Sequence, residues 1–438
     1  MADIFLFFRN FLSSHKLRAT GSLAIGAALG QGLTFAAAPL LTRLYSASDI
    51  GEYGTLLSFI SIFVCVICLG YEESILICEE KDIGYFIIIS ILSALFIIFI
   101  FLISINLISL FYVNEAMKFD FITILLSVIF LLANGLYVIT QVIYVRNKNI
   151  PVLAKFQVIK AIISNSVQIL ASIQPFRPFG LILGQILGIG MVAVALAKNI
   201  WPPKAEILKF FQIKHLWLHA RHFSSYPLYR APQSILNTLV VSMPIIYIGI
   251  AFGSYEAGYF WLAYRALGLP NQILVESVRT SLMSEFSAMI RSDEPLLYLL
   301  LRTIAGLTLI FIPLSVGLFM FGEAFFGFAF GKNWSEAGLY ASILSLAWIF
   351  QNAGVPAFAA FTLMRQQGLL LLLEIFGTIM RVTALACSMI WHDIYFILLL
   401  FSCATIIQMI TTIILCFFHV RQRDRVIAMI SGDDTKTF

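Results

Sequence analysis

Three basic residues and one acidic residue lie inside long apolar stretches of the sequence, where charges are rare. Lys160, Arg265 and Arg381 each lie in a different stretch. Glu374 precedes Arg381 by seven residues, which puts both side chains on one face of a helix, two turns apart. A charge at the centre of a bilayer costs roughly 3 kcal/mol or more, so each of these residues needs a function or a partner. Guanidinium groups in such a place would bind phosphate or carboxylate oxygens.

The charged residues form two sets of candidates. The predicted substrate-binding residues are cations in apolar stretches or near their ends: Lys160, Arg265, Arg381 and Arg279. The candidates for carrying a coupled ion are acidic residues in similar positions: Glu72, Glu276 and Glu374. A structural role is the alternative, in which Arg381 and Glu374, or Arg265 and a tyrosine, lock helices together. The residue pattern alone leaves both roles open.

The apolar stretches are long and numerous enough to define the fold class. Of the 438 residues, 60% are hydrophobic and 12% charged, more apolar surface than a water-soluble domain could bury. About twelve stretches have the ~20 residues that a helix needs to cross a bilayer. The predicted spans are 20–41, 51–71, 83–111, 120–143, 151–173, 179–198, 232–252, 256–278, 297–321, 336–362, 367–391 and 394–418. The sequence therefore predicts an all-α integral membrane protein with about twelve transmembrane helices.

The lysines and arginines predict the orientation of these spans. Of 28 such residues, 21 lie in the termini and connections on the side of the N-terminus. Only four lie on the opposite side: Arg43, Lys118, Arg177 and Lys332. Since positively charged loops stay in the cytoplasm, both termini are predicted to be cytoplasmic.

A polar connection divides the chain nearly in half. The predicted units are an N-terminal six-helix bundle (1–198), a cytoplasmic amphipathic linker (199–231), a C-terminal six-helix bundle (232–420) and a cytoplasmic tail (421–438). The linker contains EILKFFQIKHLWLHARHF, in which apolar and basic residues alternate at helical spacing. This pattern is typical of a helix on the membrane surface, with its lysines toward anionic headgroups. A solvated linker is the alternative.

The two predicted bundles share a short motif. D-x-G-x-Y at 49–53 follows the first span, and E-x-G-x-F at 256–260 follows the seventh, 207 residues later. The two spans run in the same direction, so the repeat is parallel, and two such bundles would enclose a central cavity. Gly51 and Gly258 are predicted to form a structural joint. Arg43, at the outer end of the first span, is predicted to cap the helix or pin this joint rather than contact cargo.

These joints resemble those of a known family. AAAPLLTRLYSASDIGEYG (36–54) and GYEESIL (70–76) are similar to the N-terminal signature of bacterial polysaccharide flippases, in the multidrug/oligosaccharidyl-lipid/polysaccharide exporter superfamily. GSYEAGYFWLAYRALGLPNQILVESV (253–278) and FGKNWSEAGLYASILSLAWIFQNAGVP (330–356) resemble the family's seventh-to-eighth and ninth-to-tenth joints. The resemblance covers nearly the whole chain and is specific for the polysaccharide-exporter branch.

The resemblance implies a V-shaped, MATE-like transporter that works by alternating access. Its cargo would be a polyprenyl-diphosphate-linked sugar, moved from the cytoplasmic to the outer leaflet of the bacterial inner membrane for O-antigen, capsule or exopolysaccharide synthesis. Membrane lipids and other polysaccharide assembly proteins would be its partners. One alternative is a cation-coupled multidrug exporter of the same fold, which would depend on acidic cavity residues. Another is a membrane-embedded polymerase or ligase, although such enzymes usually expose a large outer loop, and the predicted outer loops are short.

The sequence lacks motifs for catalysis, cofactors or metals. It contains no HExxH, and GFAFGK at 327–332 has the wrong spacing for a phosphate-binding loop. The six cysteines lie in or beside predicted spans, and three histidines of the linker fit the basic character of a surface helix. We therefore predict a transporter that is not an enzyme, needs no cofactor or metal and binds no nucleic acid.

Overall fold

The computed structural model describes residues 17–111, 120–173, 177–200, 210, 212–271 and 275–431. Among these residues the regular structure is helical, without a β-strand. The α-helices are α1 (Leu17–Leu44), α2 (Ala47–Val64), α3 (Tyr71–Ser74), α4 (Ile83–Phe111), α5 (Phe121–Arg146), α6 (Ile150–Leu170), α7 (Arg177–Ile200), α8 (Ile213–His222), α9 (Ala231–Ala251), α10 (Ser254–Pro270), α11 (Glu276–Arg291), α12 (Leu297–Phe330), α13 (Ser335–Ala353), α14 (Val355–Leu363), α15 (Gln367–Trp391) and α16 (Ile394–Ser431). Single turns lie at Glu80–Asp82, Tyr226–Arg230 and Lys332–Trp334.

Nine of the described helical segments are long and apolar enough to cross a membrane, judged by length and composition. They coincide with the third to seventh and the ninth to twelfth predicted spans. The first, second and eighth predicted spans are also helical, as α1, α2 and α10. The predicted class, an all-α membrane protein, is confirmed.

The chain forms two compact units, one within residues 9–261 and the other within 262–438. In the first unit α6 packs between α1 and α7, α7 also packs against α5, and α2 packs along α9. In the second unit α12 packs against α13, and α16 packs against both α13 and α15. The bundle boundaries predicted from the sequence remain a prediction. They were set by the repeated sequence motif, whereas the two units described here are defined by how compactly the chain packs.

Small residues allow the close packing of α6, the helix that carries Lys160. A Cβ atom at Gly26 of α1 would overlap the backbone of Ala154. On the other side of α6, a Cβ at Gly188 of α7 would overlap the Ser164 hydroxyl. The backbones of three helices therefore approach each other closely, as small residues permit in membrane proteins. This packing fixes the position of Lys160.

A capping box begins α2, directly after the turn that follows Arg43. The Asp49 backbone N–H donates to the Ser46 hydroxyl oxygen at 3.2 Å. In return the Ser46 backbone N–H donates to the Asp49 carboxylate at 2.8 Å. The two bonds satisfy N–H groups that a helix start leaves free. The aspartate of the D-x-G-x-Y motif therefore has a local structural role.

The glycines of the two motifs contact each other within the first unit. A Cβ at Gly51 would overlap the Ser254 carbonyl oxygen, and a Cβ at Gly258 would overlap the Ala47 carbonyl oxygen. The contact is reciprocal, because 47 and 254, like 51 and 258, differ by the same 207 residues. The start of α2 and the start of α10 thus touch backbone to backbone, which only glycine allows at these positions.

The last part of α16 holds the start of α12. The Asp424 carboxylate is buried and accepts from the Leu297 backbone N–H at 2.8 Å. Arg423 donates to the Asp424 carboxylate and to the Glu294 carbonyl oxygen, each at 3.0 Å. A carboxylate at a helix N-terminus is favourable because of the free N–H groups there. Residues up to Ser431 thus continue α16 beyond the predicted span, and the rest of the predicted tail lies outside the described residues.

Candidate functional site

Arg381 is the most buried of the predicted binding residues, with 9% of its surface exposed. It lies on α15 and reaches α16, where its Nε donates to the Thr405 hydroxyl at 3.2 Å. Its Nη2 donates to the Gln408 side-chain oxygen at 2.5 Å. The Tyr264 side chain of α10 is near enough to interact electrostatically with the guanidinium. The cation therefore lies among neutral polar groups.

A glycine and a backbone carbonyl hold Gln408 in this position. Gln408 is buried, and its nitrogen donates to the Leu373 carbonyl oxygen at 3.2 Å. Its side chain occupies the space that a Cβ at Gly377 would need. Gly377 lies one turn before Arg381 on α15. The amide is thus fixed at both ends, with its oxygen directed at the guanidinium.

Glu374 does not neutralise Arg381. Both residues are described, and no carboxylate of the described residues forms an ion pair with this arginine. Glu374 is half-buried on α15, and its backbone carbonyl accepts from the Thr378 hydroxyl at 2.7 Å. The helix-locking pair considered from the sequence is therefore absent among these residues. Arg381 instead links α15 to α16 through uncharged groups.

Lys160, in the first unit, resembles Arg381 in being a cation on a helix that is long and apolar enough to span a membrane. It is half-buried on α6, and its ammonium lies 5.2 Å from the centre of the Tyr137 ring on α5. An aromatic face attracts a cation without neutralising it. The Tyr137 hydroxyl accepts from the Gln157 side-chain nitrogen at 2.8 Å. Lys160 therefore also lacks a carboxylate partner among the described residues.

Two buried amides of the first unit, Gln168 and Asn134, donate to backbone carbonyls. Gln168 donates from its side chain to the Leu181 carbonyl oxygen at 3.0 Å, and its own carbonyl accepts from the Tyr45 hydroxyl at 2.7 Å. Asn134 donates to the Phe130 carbonyl oxygen of its own helix at 2.8 Å. The Gln168 side chain thus links α6 to α7, its backbone carbonyl holds the turn after α1, and Asn134 bonds within α5. They are occupied by protein partners.

The other predicted binding residues differ in exposure. Arg265 on α10 is half-buried and interacts with neighbouring groups. Arg279 on α11 is exposed and also has an interaction partner. Glu276 begins α11, and its side chain lies outside the described residues. Arg43 is exposed in the last turn of α1, where a cation favours the carbonyl end of the helix.

Glu72 lies on α3, outside the candidate spans, beside an ion pair. Its Oε2 atom is buried without a hydrogen-bond partner among the described residues. Burial raises the pKa of Glu72, and the neighbouring Glu73 adds to this effect, whereas Arg230 opposes it. Arg230 itself pairs with Glu73, with 3.1 Å between Nε and Oε1. Gly70, with φ of +81°, precedes α3 and lets this turn approach Tyr226.

The sequence reasoning found the cations but missed the groups that hold them. Thr405 and Gln408 were not among the predicted site residues because they are uncharged. A polar residue in an apolar span nevertheless indicates a buried contact, as a charged residue does. Gly377 gave no signal, because its role depends on a neighbour 31 residues later. No cluster of three or more His, Cys, Asp or Glu residues that could hold a metal ion occurs in the described part of the chain.

The sequence matches the family described as polysaccharide biosynthesis protein over residues 40–339. It is also similar to the succinoglycan biosynthesis transport protein ExoT of Rhizobium meliloti (strain 1021), with 25% identity over 115 residues. This alignment covers 26% of the present chain and 23% of the relative, so it spans about a quarter of that protein's length.

Two solved structures share the fold across almost the whole chain. One is the inward-facing conformation of a multidrug resistance MATE family transporter of the MOP superfamily, with a TM-score of 0.64 and 14% identity, covering 92% of this chain and 96% of that one. The other is a MOP superfamily transporter from Pyrococcus furiosus, with a TM-score of 0.59 and 13% identity, covering 94% and 98%. At these identities the likeness shows the fold alone.

Proposed function

Because the chain belongs to the polysaccharide biosynthesis protein family and has the fold of MOP-superfamily transporters, we propose that it is a lipid-linked oligosaccharide flippase. Its cargo is a polyprenyl-diphosphate-linked repeat unit, carried by alternating access from the cytoplasmic to the outer leaflet of the bacterial inner membrane. The unit then enters O-antigen-like surface polysaccharide. The diphosphate gives every such cargo a negative charge, whichever sugar it carries.

The uncompensated charge of Arg381 is the observation that carries this proposal. A buried cation is costly in a membrane protein, and a carboxylate partner would reduce the cost. Arg381 has only hydroxyl and amide partners among the described residues, so the site keeps its positive field. The arginine fork fits phosphate oxygens, and a site of low dielectric strengthens the attraction. An anionic cargo would complete this arrangement.

Lys160 supports the same function from the first unit. Its ammonium faces the Tyr137 ring and has no carboxylate partner among the described residues. We assign Lys160, Arg265, Arg381 and Arg279 to cargo binding as a set. Glu72, Glu276 and Glu374 are the candidates for carrying the coupled ion. Gly51 and Gly258, with Arg43, belong to the structural joint rather than to the cargo site.

The alternatives account less well for these charges. A multidrug exporter of the same fold would need acidic residues to bind cationic drugs, whereas Lys160 and Arg381 would repel them. A polymerase or ligase would need catalytic groups on a large outer loop. The relatives found by sequence and structure are transporters. We place the protein in the inner membrane with both termini in the cytoplasm, in contact with lipids and with other polysaccharide assembly proteins.

Cells that lack the protein test the direction of transport. We expect the polyprenyl-diphosphate-linked repeat unit to accumulate on the inner leaflet and surface polysaccharide to disappear. The measurement is the leaflet distribution of the extracted intermediate, read with an impermeant sugar-oxidising reagent. Accumulation on the outer leaflet would instead point to a polymerase or ligase. No accumulation, with increased drug sensitivity, would point to an exporter.

Variants of the two uncompensated cations test the site. We expect Arg381→Ala and Lys160→Ala to reduce surface polysaccharide about tenfold or more at normal membrane abundance, because a buried charged contact is worth 1.5–3 kcal/mol. Arg381→Lys should restore part of the activity where charge alone matters. Lys332→Ala, at an exposed lysine between α12 and α13, is the matched control and should export normally. Full export by both alanine variants, alone and combined, would refute the cationic site.

A further inference from the structure

The short helix α8 lies beside the start of a membrane span. Its His219 ring stacks on Tyr85 with 4.8 Å between ring centres and meets the edge of Phe86 at 5.6 Å. Its Nε2 atom lies 3.7 Å from an Asp82 carboxylate oxygen. These partners begin the apolar segment Glu80–Ile108. The helix is therefore level with the boundary where this span enters the membrane.

One side of α8 is buried against the protein and an adjacent side carries exposed apolar residues. Leu216 is buried, whereas Ile213 is 80% exposed and Trp217 is 68% exposed. Ile213 and Trp217 are four residues apart, so they project from the same side of the helix. A tryptophan at the boundary between water and lipid is a common membrane anchor. Water alone would leave two large apolar side chains uncovered here.

Basic residues accompany this apolar pair, and α8 contains no acidic residue. Lys214 and Arg221 are both exposed, and they lie seven residues apart on one face. Trp217 is one turn from each of them, three residues after Lys214 and four before Arg221. An apolar pair beside a basic face is the pattern of helices that lie in the interface of an anionic membrane. The opposite charge would be supplied by lipid phosphates.

We propose that Ile213, Lys214, Trp217 and Arg221 form a binding surface for anionic phospholipid headgroups. The two apolar side chains enter the boundary of the acyl region, and the two cations bind headgroup phosphates. The surface is anchored to the protein by Leu216 and His219, so it fixes α8 relative to the first turn of α4. This lipid contact is independent of which cargo the protein carries.

Fluorescence quenching of the full-length protein in vesicles tests this surface. The vesicles contain equal amounts of phosphatidylglycerol and phosphatidylcholine, and only one of the two is brominated near the top of its acyl chains. The chain has 6 tryptophans, so the Trp217 signal is the difference between the protein and its Trp217→Phe variant. We expect brominated phosphatidylglycerol to quench Trp217 more strongly than brominated phosphatidylcholine. Lys214→Gln and Arg221→Gln should each lower this preference by up to about fivefold.

A charge on another helix provides the control. Arg291→Gln removes an exposed arginine from the last turn of α11 and should leave the Trp217 preference unchanged. Equal quenching by the two lipids would overturn the proposal, as would a preference that survives the double substitution of Lys214 and Arg221. Absence of quenching by either lipid would mean that a protein partner or water covers Trp217, which also overturns it.

Discussion

At the scale of single residues, the bonds of Arg381 permit two roles, which paired substitutions separate. Arg381→Met leaves the buried Gln408 oxygen without its donor, so we expect a loss of about 1–3 kcal/mol in unfolding free energy. Adding Gln408→Leu removes both partners and should recover most of that loss, because apolar residues can replace a buried polar pair. Thermal unfolding of the purified protein measures stability, and surface polysaccharide measures export.

The export of the double variant decides between the roles. If Arg381 binds cargo, the variant with Arg381→Met and Gln408→Leu is abundant in the membrane but exports little. Normal export by this variant would show that the two residues only hold α15 against α16. Gln351→Leu removes an exposed amide from α13 and is the control, which should change neither stability nor export.

Glu72 gives the protein a pH-dependent stability of predictable sign. Its pKa is raised mainly by burial, so the folded protein holds the proton at a pH where the unfolded chain, with a pKa of ~4.3, has lost it. The unfolding free energy therefore falls as the pH rises through that interval. We expect Glu72→Gln to raise the Tm at pH ~7–8 and to change it little near pH ~4, as measured by thermal unfolding across this range.

A nearby exposed carboxylate provides the comparison for Glu72. Glu80→Gln, in the turn before α4, should leave the pH dependence of the Tm as it is. If Glu72→Gln lowers the Tm at neutral pH, the carboxylate is stabilised in its ionised form and the assigned sign is wrong. Retained stability with loss of export in Glu72→Gln would instead support its role in ion coupling.

At the scale of helices, the contact between the starts of α2 and α10 should be intolerant of side chains. Gly51→Ala and Gly258→Ala place a Cβ against a backbone carbonyl, and backbone cannot move aside as a side chain does. We expect each to lower the unfolding free energy by about 1–3 kcal/mol, the usual cost of overpacking. The measurement is the Tm of each purified variant.

A glycine with open space around it separates overpacking from the general effect of alanine. Gly317 of α12 has no atom near its Cβ direction, so Gly317→Ala should be neutral or stabilise by about 0.5–1 kcal/mol through helix propensity. Equal and small effects at Gly51, Gly258 and Gly317 would mean that α2 and α10 are not in close contact.

The helices show what a sequence can and cannot reveal. Long apolar runs predicted the spans well, because lipid forces each span to satisfy its own backbone hydrogen bonds. The break between α2, which ends at Val64, and α3, which begins at Tyr71, was not predicted; Leu69 and Gly70, just before α3, both have positive φ. Within the predicted amphipathic linker the structure describes one helix, Ile213–His222, whereas residues 201–209 and 211 lie outside the described part of the chain. The residue at which a helix ends is hard to predict, because it depends on contacts with residues that are distant in the sequence.

The candidate site shows a similar limit. Charges in apolar spans identified Arg381 and Lys160, because the cost of burial makes such residues rare. The partners of Arg381 were unpredictable, since spacing along α15 favoured Glu374 whereas the structure selects residues of α16. Glu374 and Arg381 are seven residues apart and lie on the same side of α15, but the Arg381 guanidinium donates to side chains of the neighbouring helix α16. Tertiary contact therefore decides which of two plausible partners an arginine takes.

At the scale of the whole molecule, the boundary predicted from the sequence repeat and the boundary between the two compact units differ: the first precedes α9, and the second lies within α10. The repeated motif assigns α9 to the second bundle by sequence. In the structure α9 packs along α2, where Ser61 and Ser242 hydroxyls lie 2.9 Å apart, within the unit that ends at residue 261. The repeat-based boundary stays a prediction, which a superposition of residues 1–198 on 229–420 would test.

The number of membrane crossings yields the last prediction. Five predicted spans separate Lys148 from Lys332, so the two lysines should lie on opposite faces. One of the five corresponds to α10, whose 17 residues are not among the nine segments that length and composition select within the described part of the chain. If α10 does not cross, four spans remain and both lysines lie on the same side of the membrane.

Cysteine labelling distinguishes the two cases. In a chain without its native cysteines, we expect Lys332→Cys to react with an impermeant maleimide in intact cells. We expect Lys148→Cys to react only after permeabilisation, because positive charge keeps the Lys148 loop inside. Arg425→Cys should behave like Lys148→Cys if both termini are cytoplasmic. Labelling of both Lys148→Cys and Lys332→Cys from the same side would reduce the number of crossings and break the parallel repeat on which the two-bundle architecture depends.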